Sequence, residues 1–325
     1  MKYMKVAAAL AFGLTLTATA QAADFPSHTM TMVIPFAAGG PTDVLGRVIA
    51  GRMSEVLKQN VIVENVGGAG GMTGSKRVAE ARPDGYTMVL GTVGTHAQSQ
   101  TLYKHPLYNA VTDFTPVALI AEVPIVLITR PDLPANNLKE FVAYTKANES
   151  KMQFGSAGAG SATHLGCVVA NLAMGTHVTH VPYKGSAPAM TDLMAGRIDF
   201  FCEVASTAKA LIDGKKVKAI AMMAKTRSPA LPNVPTGAEQ GFEGFDAYTW
   251  NAIFMPKGVP ADIVKKVNAA AVDAMNTPSV KQRLEGLGAT IVAPDRRTPE
   301  YLTKFVPSEI KKWEAPIKAS GVIVQ

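Results

Sequence analysis

The sequence predicts an α/β protein built as two doubly wound lobes joined by a two-segment hinge. Three observations lead there. Short apolar runs alternate with segments of helical period along the chain, the order that produces parallel sheets covered by helices. Glycine-rich loops directly follow several predicted strands, at the strand ends where open sheets leave a crevice. The length of 325 residues also exceeds what one hydrophobic core usually organises.

The elements follow in order. Residues 30–36 (MTMVIPF) read as a buried strand, and Pro41 and Thr42 open a helix. In that helix Val44, Leu45, Val48, Ile49, Val56 and Leu57 recur with helical spacing. Residues 61–63 form the next strand, 73–81 a helix stopped by Arg82-Pro83-Asp84-Gly85, and 87–91 a third strand. Two strands, 117–121 and 125–129, flank Pro124. Helices are expected at 137–148, 163–174, 187–195 and 205–213, interleaved with strands at 152–155, 178–181, 198–202 and 217–224. Residues 247–255 read as a strand leading back to the first lobe, and three helical patterns close the chain, ending near Trp313. Lobe one is then 23–122 with 250–325, and lobe two is 123–249. The chain crosses between them twice, the arrangement associated with clamshell closure.

The first 22 residues read as a secretory signal: Lys2 and Lys5 precede an apolar run over residues 6–16, too short to span a bilayer. Ala20-Gln21-Ala22 places cleavage after Ala22, so the periplasm is the expected destination. The net charge of +7 falls to +5 without Lys2 and Lys5, and the basic residues are dispersed. With neither a basic stripe nor a stacking motif, nucleic acid is not an expected partner. Cys167 and Cys202 both lie in apolar segments, and the exported context permits either a disulfide or two buried thiols.

Three glycine-rich loops carry the functional expectation. Phe36-Ala37-Ala38-Gly39-Gly40-Pro41-Thr42-Asp43 brings bare amides to a helix N-terminus, where donors and the helix dipole converge on an anion. Residues 67–74 (GGAGGMTG) open the next helix. They match neither the P-loop nor G-x-G-x-x-G spacing, which disfavours a nucleotide. Residues 155–164 (GSAGAGSATH) open a helix of the second lobe and add hydroxyls; Gly160 stands where a nucleophile elbow needs Ser. Two further loops, 90–95 with Thr92, Gly94 and Thr95, and 181–186 with Tyr183, Gly185 and Ser186, sit at equivalent strand ends. Arg is absent from all five loops, so carboxylate capture would rest on amides and hydroxyls. Glu203, ending a buried strand, reads as an acceptor at the cleft floor for a water or a ligand ammonium, or else as a surface acid or helix cap. No acid, base and nucleophile cluster assembles, so an enzyme is not expected. His177 and His180 point to opposite faces of a strand, and His164 with Cys167 lacks a third ligand, so neither a metal nor a cofactor is expected.

The chain resembles the Bug-type, TctC-like periplasmic receptors of tripartite tricarboxylate transporters. The resemblance lies in PFAAGGPTD (35–43), ENVGGAGGMTGSKRVAEARPDGYTMVLGT (64–92), FGSAGAGSATHL (154–165), HVPYKGSAPAMTDLMAGRIDFF (180–201) and FMPKGVPADIVKKVNAA (254–270). It covers essentially all of the chain after the leader. It implies a type II periplasmic binding protein with a Venus-flytrap cleft, a small carboxylate ligand (dicarboxylate, acidic amino acid or aromatic acid), and a small and a large membrane subunit as partners of a monomeric receptor. A sensor role beside a histidine kinase is the alternative. The positions that the family uses for its ligand correspond here to Ala37, Ala38, Gly39, Gly40 and Thr42; Gly70 and Gly71; Thr92, Gly94 and Thr95; Ser156, Gly158, Ser161 and His164; and Tyr183, Gly185 and Ser186. Glu203 departs from the Asp of many relatives, which bears on the choice of ligand.

Overall fold

A computed structural model describes residues 25–324, so the predicted leader at 1–22 lies outside the described residues. The strands are β1 (Met30–Ile34), β2 (Val61–Asn65), β3 (Thr87–Thr92), β4 (Phe114–Thr129), β5 (Gln153–Ser156), β6 (Thr179–Pro182), β7 (Phe200–Val204), β8 (Lys218–Met223), β9 (Tyr248–Pro256) and β10 (Thr290–Ile291). The helices are α1 (Pro41–Leu57), α2 (Met72–Ala79), α3 (Ser99–Leu102), α4 (Leu138–Asn148), α5 (Ala162–Met174), α6 (Ser186–Met194), α7 (Ala205–Asp213), α8 (Ala261–Asn276), α9 (Pro278–Gly286) and α10 (Pro299–Ser320).

Two sheets share β4. In the first, β1 pairs in parallel with β2 and β3, β9 runs antiparallel to β3, and the N-terminal part of β4 runs antiparallel to β9, with β10 on its far side. In the second, the C-terminal part of β4 lies antiparallel between β7 and β8, and β5 pairs in parallel with β6 and β7. These strands are apolar on both faces, as sheets covered twice require: Met30, Met32, Val33 and Ile34 of β1 and Met88, Val89 and Leu90 of β3 are fully buried.

The sequence suggested two strands around Pro124, but β4 is one strand of 16 residues. Pro124 opposes Tyr248 at the end of the β9 ladder, and pairing with β7 begins one residue later at Ile125. A proline without an N–H is tolerated at this handover between partners. The final helix also runs on past Trp313 to Ser320, although Pro307 and Pro316 lie inside it. Burial of Leu302, Val306, Trp313 and Ile317 against the core holds its course. The two cysteines are joined: Cys167 on α5 and Cys202 on β7 form a disulfide with their Cα atoms 5.3 Å apart.

Candidate functional site

Where the two sheets face each other across the shared strand, a small void opens. Three helices aim their N-termini at it. Pro41 and Thr42 come from α1, Ala162 and Thr163 from α5, and Ser186 from α6. First-turn N–H groups have no intrahelical acceptor, so these ends present donors and the positive poles of three dipoles. Phe36, Ala157 and Val204 form apolar wall, and Thr92, Ser161, Thr249 and Asn251 add polar groups. No charged side chain is part of this lining.

Two buried polar atoms of the lining have no partner: the Ser186 hydroxyl and the Asn251 amide nitrogen. Behind Val204, the Glu203 carboxylate is wholly buried. Its Oε1 accepts from the Val204 N–H at 2.8 Å and from the Thr207 hydroxyl at 2.8 Å, while Oε2 has no partner. Buried polar groups are nearly always paired, so the Ser186 and Asn251 groups at the lining are the ones open to a further partner.

The predicted residues separate into distinct roles. Thr42, Thr92, Ser161 and Ser186 line the void. Ser156, His164, Gly71 and Thr95 support it from behind. Ser156 Oγ takes the Gly158 N–H at 3.0 Å and pairs with His180 Nε2 at 2.6 Å, and His164 Nδ1 accepts from Gly160 N–H at 3.2 Å. Burial first, then the nearby His180, pushes His164 down to about 3, and burial pushes His180 down to about 4, so both rings are neutral at physiological pH. Thr95 caps its own loop, trading bonds with Thr92 N–H and with His96 Nδ1, and its methyl packs below Gly71.

The remaining glycines have a packing role that the sequence did not show. Some loop amides are engaged inside the protein: Gly39 N–H donates to Asp43 at 2.9 Å, Gly71 N–H to Gly68 O at 2.9 Å, and Ala37 N–H to Lys184 O at 3.1 Å. The loops instead press main chain against main chain across the two halves. A Cβ on Gly70 would stand 1.9 Å from Ala159 O, one on Gly67 2.7 Å from Lys184 O, and one on Gly185 2.8 Å from Ala37 N. Gly158 and Gly94 also approach main chain closely, with a Cβ falling 3.0 Å from Gly70 N and 2.9 Å from Ala162 N. Gly39 and Gly40 face Ala187 and Ser186 of α6, and Ala38 is exposed. Tyr183 lies in the outer groove with Gly70 and Gly158, its hydroxyl held by Asp192 at 2.8 Å. The groups that face the void are helix-end N–H groups, hydroxyls and the Asn251 amide side chain. Glu203 is neither a surface acid nor part of the void's lining, although its neighbour Val204 is.

Thr249 and Asn251 were missed. Their signal is two polar residues at i, i+2 in the otherwise apolar YTWNAIF, one face of β9 turned to the void. Tyr103 was missed too: its hydroxyl donates to Ala159 O at 2.8 Å from the opposite half. The Tyr103→Phe variant should weaken ligand binding by about 2- to 10-fold through loss of this closing bond, as measured by calorimetry; an unchanged Kd would show that the bond does not bear on closure.

Comparison with known proteins places these features in a lineage. The model of the tripartite tricarboxylate transporter family receptor matches residues 45–322. MatC from Rhodopseudomonas palustris, solved with bound malate, is 38% identical with a TM-score of 0.88, covering 90% of this chain and 100% of that one. The periplasmic binding protein BugD is 38% identical with a TM-score of 0.90, covering 93% and 100%. A further R. palustris protein, solved with adipate, is 33% identical with a TM-score of 0.88, covering 92% and 99%.

Proposed function

This chain belongs to the receptor family of tripartite tricarboxylate transporters, and on that premise we propose that it captures a small dicarboxylate in the periplasm for the membrane subunits of such a transporter. As its relatives are, it is a solute-binding receptor and not an enzyme. The observation that carries the dicarboxylate reading is the void itself: three helix N-termini, six lining hydroxyl side chains with the unpartnered Ser186 among them, and the unpartnered Asn251 amide, with no acid in the lining to repel an anion. Malate and adipate, bound by two relatives, indicate a span of four to six carbons. Charge-assisted hydrogen bonds contribute roughly 1.5–3 kcal/mol each, so four or five of them support micromolar affinity after the costs of association.

The leader pattern in residues 1–22 and the disulfide between Cys167 and Cys202 agree with export, and among the described residues no helix is long and apolar enough to cross a membrane. A calorimetric screen of C4 to C6 dicarboxylates, acidic amino acids and nicotinate should give micromolar binding for at least one diacid. No heat from any of them would overturn the reading. Co-purification with the two membrane subunits tests the partnership.

A further inference from the structure

Glu203 presents a problem that the carboxylate reading does not resolve. It is an acid with no solvent exposure, placed one residue behind a void proposed for an anion. No cation compensates it. The charged groups on the surrounding elements are engaged elsewhere: Asp43 on α1 with Arg47, Glu122 on β4 with Arg296, Asp192 on α6 with Arg197, Lys209 on α7 with Asp213, and Lys218 on β8 with Leu133 O. His180 on β6 and His164 on α5 are neutral. Its contacts are the Val204 N–H and the Thr207 hydroxyl, with the Ser186 hydroxyl close enough to influence it. Two donors on Oε1 leave Oε2 bare, and the neighbouring Ser186 hydroxyl is also bare. A buried ionised carboxylate so poorly served is costly, and taking up a proton removes the cost.

We propose that Glu203 is protonated in the loaded receptor and acts as a positioning residue: its O–H donates a hydrogen bond to Ser186 Oγ, which turns the Ser186 hydrogen into the void as a donor to the ligand carboxylate. This rests on the carboxylate reading above. When Glu203 is ionised it accepts the Ser186 hydrogen instead, and the serine then shows only lone pairs to the anion. Burial pushes the Glu203 carboxyl up to about 7, against the opposing pull of Thr207, Ser186 and Val204, so the exchange falls within the physiological range. An incoming anion favours the protonated form further. Ligand binding therefore takes up a proton, and affinity falls as pH rises above about 7.

The test is calorimetry with adipate and with malate at pH 6, 7, 8 and 9, each in two buffers of different ionisation heat. Both probes are fully ionised across most of this range, so proton uptake reports the protein. For the native chain the expected result is uptake of up to one proton at pH 8, with Kd rising by up to tenfold per pH unit above about 7. Glu203→Gln carries a permanent donor in the same shape, and it should bind across the whole range with no uptake and no pH dependence. Ser186→Ala should bind more weakly at pH 6 and lose the pH dependence. Binding by the native protein with a flat pH profile and no proton uptake overturns this inference while leaving the carboxylate reading in place, and does so whether or not either variant folds. A Glu203→Gln variant that keeps the native pH profile also overturns it. No binding of any acid at any pH overturns both.

Discussion

Replacing Gly70 with alanine is expected to raise the Kd for the captured acid at least a hundredfold while leaving the protein folded. Gly70 has φ of +61° and sits so close to the opposite half that a Cβ would fall 1.9 Å from Ala159 O and 2.9 Å from its carbonyl carbon. Neither atom belongs to a flexible side chain, so the clash can be relieved only by moving one half away from the other. The left-handed conformation itself costs alanine about 1 kcal/mol, a small share of a domain's stability. The variant should therefore keep its unfolding transition and its circular dichroism, show an enlarged radius of gyration in the presence of ligand, and lose the calorimetric signal. Gly51→Ala on α1, where nothing lies within 4 Å of the new methyl, is the matched control and should be neutral or slightly stabilising. Native affinity in Gly70→Ala would show that closure of these loops is not needed for capture.

Loss of the disulfide should cost roughly 4 kcal/mol of folding free energy, the chain-entropy value for a bridge across 35 residues. The effect is expected in guanidinium unfolding of Cys167→Ala/Cys202→Ala, or of the native protein under reductant, as a lower midpoint with a somewhat steeper slope, because the unfolded chain expands without the bridge. The functional consequence should be smaller than the thermodynamic one. The bridge ties α5 to β7 within one half, and α5 also rests on Leu165, Val168 and Met174 in the core. Its N-terminus, with Ser161 accepting from His164 N–H, stays in place at 25 °C. An identical midpoint with and without the bridge would contradict the prediction.

A third expectation concerns pH and stability. The Glu203 carboxyl ionises near 4.5 when unfolded and is pushed up to about 7 by burial in the fold. Between those values the folded state holds the extra proton, so this group's contribution to stability is greatest below about 4.5, declines through the interval and levels off above about 7. The unfolding midpoint of Glu203→Gln should accordingly exceed that of the native protein by more at pH 8 than at pH 4.

Much of the architecture was legible in the amino-acid order because buried parallel strands and amphipathic helices leave different periods. MTMVIPF, TMVLG and the helix opened by Pro41 all lie where their patterns place them. The short turn Gly94–Gln98 with α3 was not legible, because every residue from Gly94 to Ser99 is buried and no polar face distinguishes one period from another. The continuity of β4 through Pro124 could not be read either: whether a missing N–H matters depends on the neighbouring strand, and that neighbour, β9, is more than a hundred residues away. At the candidate site, local signals pointed to loops. A helix N-terminus is visible as Pro41-Thr42 or Ser161-Ala162-Thr163, and those residues do line the void. The packing role of the loops' glycines was not legible, since a bare amide and a close approach of two segments leave the same mark in a sequence. Which of them it is depends on the loop from the other half, and Gly70 against Ala159 is visible only once both are placed.

The link between the halves has a mechanical consequence. The two crossing segments, β4 and β9, are hydrogen-bonded to each other up to Pro124 and Tyr248, so the halves are joined by a two-stranded ribbon and not by independent tethers. A ribbon resists sliding along its length yet twists and bends at low cost where its ladder ends. Such a ribbon would favour rotation about one axis over sliding, the hinge form of domain closure. Stiffening that axis, and not the loops, is the route by which a distant substitution would change how often the receptor opens.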